Sequence, residues 1–349
     1  MVAAARRGGR GGINTAAAIH SRGKPEPIRH GRNDERLCYA RRMNAPSISI
    51  VLPTHNRARL LPRAVRSVLA QTDVDFELVV IDDGSSDGTQ DVLASLPGDA
   101  RIRLLRNETP GGAAAARNRA IRSASGEWVA FLDDDDELLP DYLVRLRSHL
   151  HALPAAGLVW TGVERLYHDS TPPRSEILQW QDRWDGMTPA AHPFLLFFAL
   201  SFGVAIRRSA LLDAGLFDER FSATEDIDLA MRLVAAGTPY AALPEVLLRV
   251  HIGEGASVSR SRDHRSALRL LLLQKNAAFL ATQPALLAHY RLFAMSGLYR
   301  DGRKREARTL ASALLRSGGL DGRGFETVLR YELFAPIKRL FRRQAGAAV

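Results

Sequence analysis

Two rhythms of hydrophobic and polar positions alternate along residues 47–150. Ile48, Ile50, Val51 and Leu52 make a short apolar run ending at Pro53, and Leu60, Leu61, Ala64, Val65, Val68 and Leu69 then recur at helical spacing. The change of rhythm repeats. Residues 76–81 predict a second strand, closed by Asp82 and Asp83, with a helix near 87–96 after it. A third strand is expected at 101–105, leading through Gly111 and Gly112 into a helix over 113–123, and 128–132 is the fourth. Trp128, Val129, Ala130, Phe131 and Leu132 have no alternating polar positions, as expected of a strand covered on both faces. Strands and helices in alternation predict an α/β chain with a mostly parallel central sheet flanked by helices and right-handed crossovers.

The regularity loosens beyond Leu150. A strand is expected at 157–163, then a mobile loop around Pro172, Pro173, Trp180 and Trp184, and a buried piece at 194–206. Short helices at 209–214 and 226–236 precede a strand at 240–250 that ends at His251. Residues 262–318 read as two or three Leu-rich and Arg-rich helices.

Composition changes the picture at the two ends. Residues 1–42 are mostly Ala, Gly and Arg, too poor in apolar side chains to offset chain entropy, and are expected to be disordered. Met43, just before the first strand, offers an alternative start of translation. Residues 1–45 hold ten Lys/Arg against three Asp/Glu, +7, and residues 260–349 hold eighteen against six, +12. With a total of +10, the body between them carries −9. Three parts follow: a basic tail (1–45), a central domain (46–259) and a basic helical region (260–349). The longest apolar stretch, 193–206, is about 14 residues, too short to span a bilayer. Cys38 is the single cysteine, which excludes an intrachain disulfide and fits a reducing cytoplasm. The basic tail reads as a flexible end, so no nucleic-acid partner is expected. Near the C-terminus, Phe334, Ile337, Leu340 and Phe341 share a helical face flanked by Lys338, Arg339, Arg342 and Arg343. Such a helix suits an anionic headgroup layer, giving a cytoplasmic protein with peripheral contact at the inner membrane face; packing on the core is the alternative.

Candidate chemistry concentrates after strands. Asp133, Asp134, Asp135 and Asp136 follow the fourth strand directly, and four adjacent carboxylates call for a cation such as a hard divalent ion with oxygen ligands. The carboxyl edge of an open α/β sheet is also where ligands bind. Asp82 and Asp83 before Gly84 can accept hydrogen bonds from a nucleotide, or merely from their own turn. The small residues of PGGAAAARNRA leave backbone N–H groups open to an anion at a helix start, with Arg117 and Asn118 one turn in. Glu225, Asp226 and Asp228 crowd the first turn of another helix; capping accounts for one, leaving another to face a cleft as a general base. His251 taken alone reads as structural.

In order, SISIVLPTHNR, IDDGSSDGT, GGAAAARNRA, GEWVAFLDDDDELLPDYL, FGVAIRRSALLDAGLFDE, TEDIDLAMRL and RVH resemble the family 2 glycosyltransferases over about residues 46–258. The resemblance implies the A-type glycosyltransferase (GT-A) fold, an inverting reaction, a nucleotide-diphosphate sugar donor such as a UDP-sugar, a saccharide or lipid-linked acceptor, and Mg²⁺ or Mn²⁺. It places Pro53, Thr54 and Asn56 near the nucleotide, Asp82 and Asp83 at the base, and Asp133 and Asp134 at ribose and diphosphate. Asp135 becomes the metal ligand, with His251 completing the metal or diphosphate site, and Asp226 becomes the base beside Glu225. Two departures stand out. Asp136 extends the acid run, so the metal motif has two registers. Gly112 occupies a position that is basic in some relatives, which leaves Arg57 or Arg117 for the diphosphate. A nucleotidyltransferase would want a glycine-rich loop after the first strand, where this chain has PTHNRARLL; a non-catalytic protein with a degenerate core is the other rival.

Overall fold

The computed structural model describes residues 47–72, 75–96, 98–178, 203–254 and 265–317. The basic tail and the helix expected at 334–343 lie outside the described residues. β1 (Ile48–Thr54), β2 (Phe76–Asp83), β3 (Ile102–Asn107) and β4 (Trp128–Phe131) pair in parallel in the order β3-β2-β1-β4. Helices α1 (Leu61–Leu69), α2 (Thr89–Ala94) and α3 (Ala113–Ser123) make the crossovers.

Side-chain alternation along these strands feeds two cores. Val51, Val79, Val129 and Phe131 face α3, whereas Ile50, Leu52, Leu78, Val80 and Ala130 face α1 and α4 (Tyr142–Ala152). Every residue of β2 and β4 is buried, which explains the unbroken apolar run of β4; in β2 the run is interrupted by Glu77, which accepts from Ser49 Oγ at 2.6 Å.

Beyond β4 the sheet becomes mixed. β5 (Glu137–Leu138), β6 (Leu158–Tyr167), β7 (Arg174–Leu178), β8 (Val204–Arg207) and β9 (Tyr240–Ile252) extend it in the order β4-β8-β6-β9-β5, with β7 on β6. The β4–β8, β8–β6, β6–β7 and β9–β5 pairs are antiparallel, while β6 and β9 are parallel. At 174–178 the expected loop is instead the hairpin partner of β6. Its side chains are mostly exposed, so no apolar face marks it in the sequence. Trp180 and Trp184 lie outside the described residues.

Helices α5 (Arg208–Asp213) and α6 (Glu225–Ala235) complete the central part. Among the described residues four helices follow rather than two or three: α7 (Arg265–Lys275), α8 (Ala277–Ala281), α9 (Pro284–Arg300) and α10 (Lys304–Ser317). The five-residue α8 is too short to leave a periodicity. Leu272, Leu280, Leu286 and Tyr290 join the same core as α6 and Phe131, so α7 to α9 pack on the sheet side that carries α6. No described helix is long and apolar enough to cross a membrane.

Candidate active site

Four chain segments meet at the carboxyl edge of the parallel strands: the end of β1, the end of β2, the acids after β4, and the first turn of α6. The four acids divide their partners. Asp133 accepts from Arg117 Nη2 at 2.8 Å, and Asp134 from Thr54 Oγ1 at 2.7 Å. Asp136, almost fully buried, accepts the main-chain N–H of His251 at 3.0 Å, clasping the end of β9. Asp135 is the least committed. Its carboxylate is 31% exposed, and the nearest cation is Arg57 Nη1 at 3.8 Å.

Crowding shows in the proton affinities. Burial, reinforced by Asp135 and Asp133, pushes the Asp134 carboxyl up to about 7. Burial raises Asp136 well above the usual carboxylate range, and Asp135 is also raised, by burial and then by Asp133. An all-oxygen cluster whose members resist ionising together fits a hard divalent ion.

Arg117, on α3 and nearly fully buried, spans the cleft. Nη2 holds Asp133, while Nη1 donates to Glu225 Oε1 at 2.9 Å. Burial opposes its charge, but Asp133 and Glu225 more than offset that and hold the guanidinium above its ordinary value. One side chain therefore locks the strand-end acids to the start of α6, where Asp226 is the next residue. Thr224 before it sits at φ 68°, in the left-handed region, and makes no side-chain cap. A β-branched residue there is strained, and such strain clusters at functional positions. Its buried hydroxyl has no hydrogen-bond partner. Burial and Asp226 raise the Glu225 carboxyl, against the pull of Arg117.

The nucleotide-side candidates are tied into loops. Asp83 Oδ1 accepts from Asn107 Nδ2 (2.6 Å) and Gly111 N–H (2.9 Å), and Oδ2 from Gly112 N–H (2.7 Å). Gly112 reaches this geometry at φ 85°, which a side chain would strain. The glycine-loop N–H groups, read from the sequence as an anion site, are thus donated to the chain's own Asp83. Asp82 is fully buried, accepting from Ser85 N–H (2.9 Å), Arg106 Nη1 (2.7 Å) and Gln90 Nε2. Asn56, also at positive φ, accepts Ser86 N–H at 2.8 Å and joins the β1 and β2 loops beside Pro53. Arg57 faces Asp134 and Asp135, whereas Arg117 gives both terminal nitrogens to its two acids and keeps a buried Nε without a hydrogen-bond partner.

His251, expected beside Asp135, turns its ring elsewhere. Nε2 donates to Glu137 Oε1 (3.1 Å), and Nδ1 lies 2.8 Å from His168 Nε2. Burial, then Arg63, lowers its proton affinity. No local pattern marks His168, Glu137 or Arg63, because each acquires its meaning only from a partner far along the chain.

The glycosyl transferase family 2 model matches residues 49–214. The succinoglycan biosynthesis protein ExoO of Rhizobium meliloti (strain 1021) is 31% identical over 304 residues, covering 83% of this chain and 82% of that protein. The Escherichia coli protein WfgD, a UDP-Glc:alpha-D-GlcNAc-diphosphoundecaprenol beta-1,3-glucosyltransferase, is 46% identical over 89 residues, 26% of this chain and 35% of that protein. Among solved structures, S. aureus TarS in complex with UDP-GlcNAc superposes with a TM-score of 0.59 at 19% identity, over 70% of this chain and 71% of that one. That likeness shows a GT-A-like fold. By its relatives, its fold and the order of its motifs, this chain belongs to glycosyl transferase family 2 and is a glycosyltransferase.

Proposed function

We propose that the protein transfers a sugar from a UDP-sugar to a saccharide or lipid-linked hydroxyl with inversion at the anomeric carbon, and that Asp226 is the base. The observation carrying this reading is the Arg117 bridge, which holds the acids after β4 and the first turn of α6 at one cleft. UDP-GlcNAc bound to TarS and the UDP-Glc donor in the name of WfgD favour a UDP-hexose here, and WfgD's diphosphoundecaprenol substrate favours a lipid-linked acceptor.

Asp135, with the least engaged carboxylate, would hold Mg²⁺ or Mn²⁺, which favours the register with the third acid on the metal. A bound divalent ion supplies Lewis acidity at the departing diphosphate. Asp133 and Asp134 would orient ribose and diphosphate oxygens, and Arg57 adds positive charge on the same side. Asp226 removes the acceptor hydroxyl proton while that oxygen attacks the anomeric carbon, and the diphosphate leaves from the opposite face. Buried dipoles and charges fixed before reaction stabilise charge as it develops.

Asp226→Asn tests this. Transfer should fall by at least about 10²-fold, as loss of a general base requires, with UDP affinity by calorimetry close to that of the parent chain. Undiminished transfer by this variant would remove Asp226 from the mechanism.

A further inference from the structure

We propose that Arg63 on α1 is the positioning residue that aims Asp135, by tying the main chain of the acid run to the segment that follows β9. The proposal rests on the reading of Asp135 as the metal-bearing acid and adds the residue that holds it in place.

One face of α1 grips the chain as it leaves the acids. Arg63, Ser67 and Gln71, spaced four apart, share that face, with Gln71 just past the helix end. Arg63 Nη2 donates to the Asp135 carbonyl. Ser67 Oγ accepts Leu138 N–H at 3.0 Å while donating to Ala64 O at 2.7 Å. The Gln71 amide donates to Leu139 O at 2.9 Å and accepts Leu143 N–H at 3.1 Å. Residues 135–143 are thus pinned along their length to one rigid element, and the Asp135 carboxylate is left free of that grip, 31% exposed.

Arg63 also reaches beyond this ladder. Its Nη1 pairs with Glu254 Oε2, and Arg59 Nη2 donates to Glu254 O at 3.2 Å, so the turn after β9 is tied to the start of α1. Asp136 meanwhile accepts His251 N–H. The acids at 135 and 136 are therefore joined to the end of β9 twice, by a carboxylate and by a guanidinium. Arginine suits the place because its planar fork serves a carbonyl and a carboxylate at once, whereas a lysine ammonium is a single point on a flexible stem. Packing alone does not account for the residue. Its Nε is buried with no hydrogen-bond partner, a desolvation cost that an apolar side chain of similar volume avoids. Charge alone acts in the wrong direction, since a cation beside Asp135 repels an incoming divalent ion. The geometry of its two terminal nitrogens is what the site gains.

The test is calorimetric titration of the full chain with Mn²⁺ in the presence of UDP, with electron paramagnetic resonance of free Mn²⁺ as a second readout. Arg63→Met removes a repelling charge yet should weaken Mn²⁺ at least about tenfold, the usual effect of losing a group that orients a metal ligand. Arg63→Lys keeps the charge but not the fork, and should weaken it about threefold or more. Affinity for UDP alone, measured in chelator, should match the parent's in both variants. Thermal melts identify a variant that fails to fold, and Arg63→Lys carries the test if Arg63→Met does so. Mn²⁺ that is lost in Asp135→Asn but held by the Arg63 variants as tightly as by the parent, or more tightly, would overturn the positioning role alone. An equal fall in metal-free UDP affinity would also overturn it, by showing a general loosening of the cleft. A parent chain that takes up no Mn²⁺, or an Asp135→Asn chain that binds it undiminished, would remove the reading of Asp135 and this proposal with it.

Discussion

Arg117 satisfies two carboxylates from opposite sides of a cleft, and its own burial makes that arrangement unforgiving. Arg117→Met would leave Glu225 nearly buried and uncompensated beside Asp226. Breaking a buried ion pair from one side costs about 3–5 kcal/mol, so the urea midpoint of this variant should fall by that equivalent at neutral pH. A midpoint within about 1 kcal/mol of the parent would mean the acids simply protonate or resolvate. At this scale the acid cluster itself was legible, because four successive aspartates after an apolar strand have few other uses. Their division of labour was not. It depends on Thr54, Arg117 and His251, which lie 80, 16 and 115 residues from the acids they serve. The same distance hid the partners of Asp83, whose turn chemistry could be read while its cage of Asn107 and glycine N–H groups could not.

Helix α6 shows how one element serves both chemistry and packing. Its first turn carries Glu225 toward Arg117, and in the same turn Asp228 is fully buried. Asp228 accepts from Lys275 Nζ at 2.7 Å and Asn276 Nδ2 at 3.0 Å, at the end of α7 and just beyond it, and from Arg232 Nε at 2.9 Å. Lys275 also reaches Asp218 at 2.6 Å. The basic C-terminal helices thus clamp the helix bearing the proposed base. Lys275→Met should destabilise the chain by about 2–4 kcal/mol in urea unfolding, since a carboxylate without access to water loses a charged donor. Loss under about 0.5 kcal/mol would show that Arg232 and Asn276 suffice. Helices and parallel strands were well legible as elements: α3 spans the expected 113–123, since Gly112 sets its start and its small residues keep the helical rhythm. The antiparallel additions were harder. β5 has two residues, β7 lies on the exposed edge, and neither length nor face marks them in the sequence.

For the whole molecule, charge and topology lead to the same place. The acidic body puts its carboxylates at the carboxyl edge of β1, β2 and β4, and basic α7 closes on α6 from the C-terminal side. The central claim is a single displacement at that edge, with Asp226 as base. It is tested without knowing the acceptor, by letting water take its place. Once a screen of UDP-sugars identifies the hydrolysed donor, proton NMR at early times shows which anomer of the free sugar is released before mutarotation. From an α-linked UDP-hexose, direct displacement predicts that the β anomer appears first. The α anomer appearing first would contradict the mechanism.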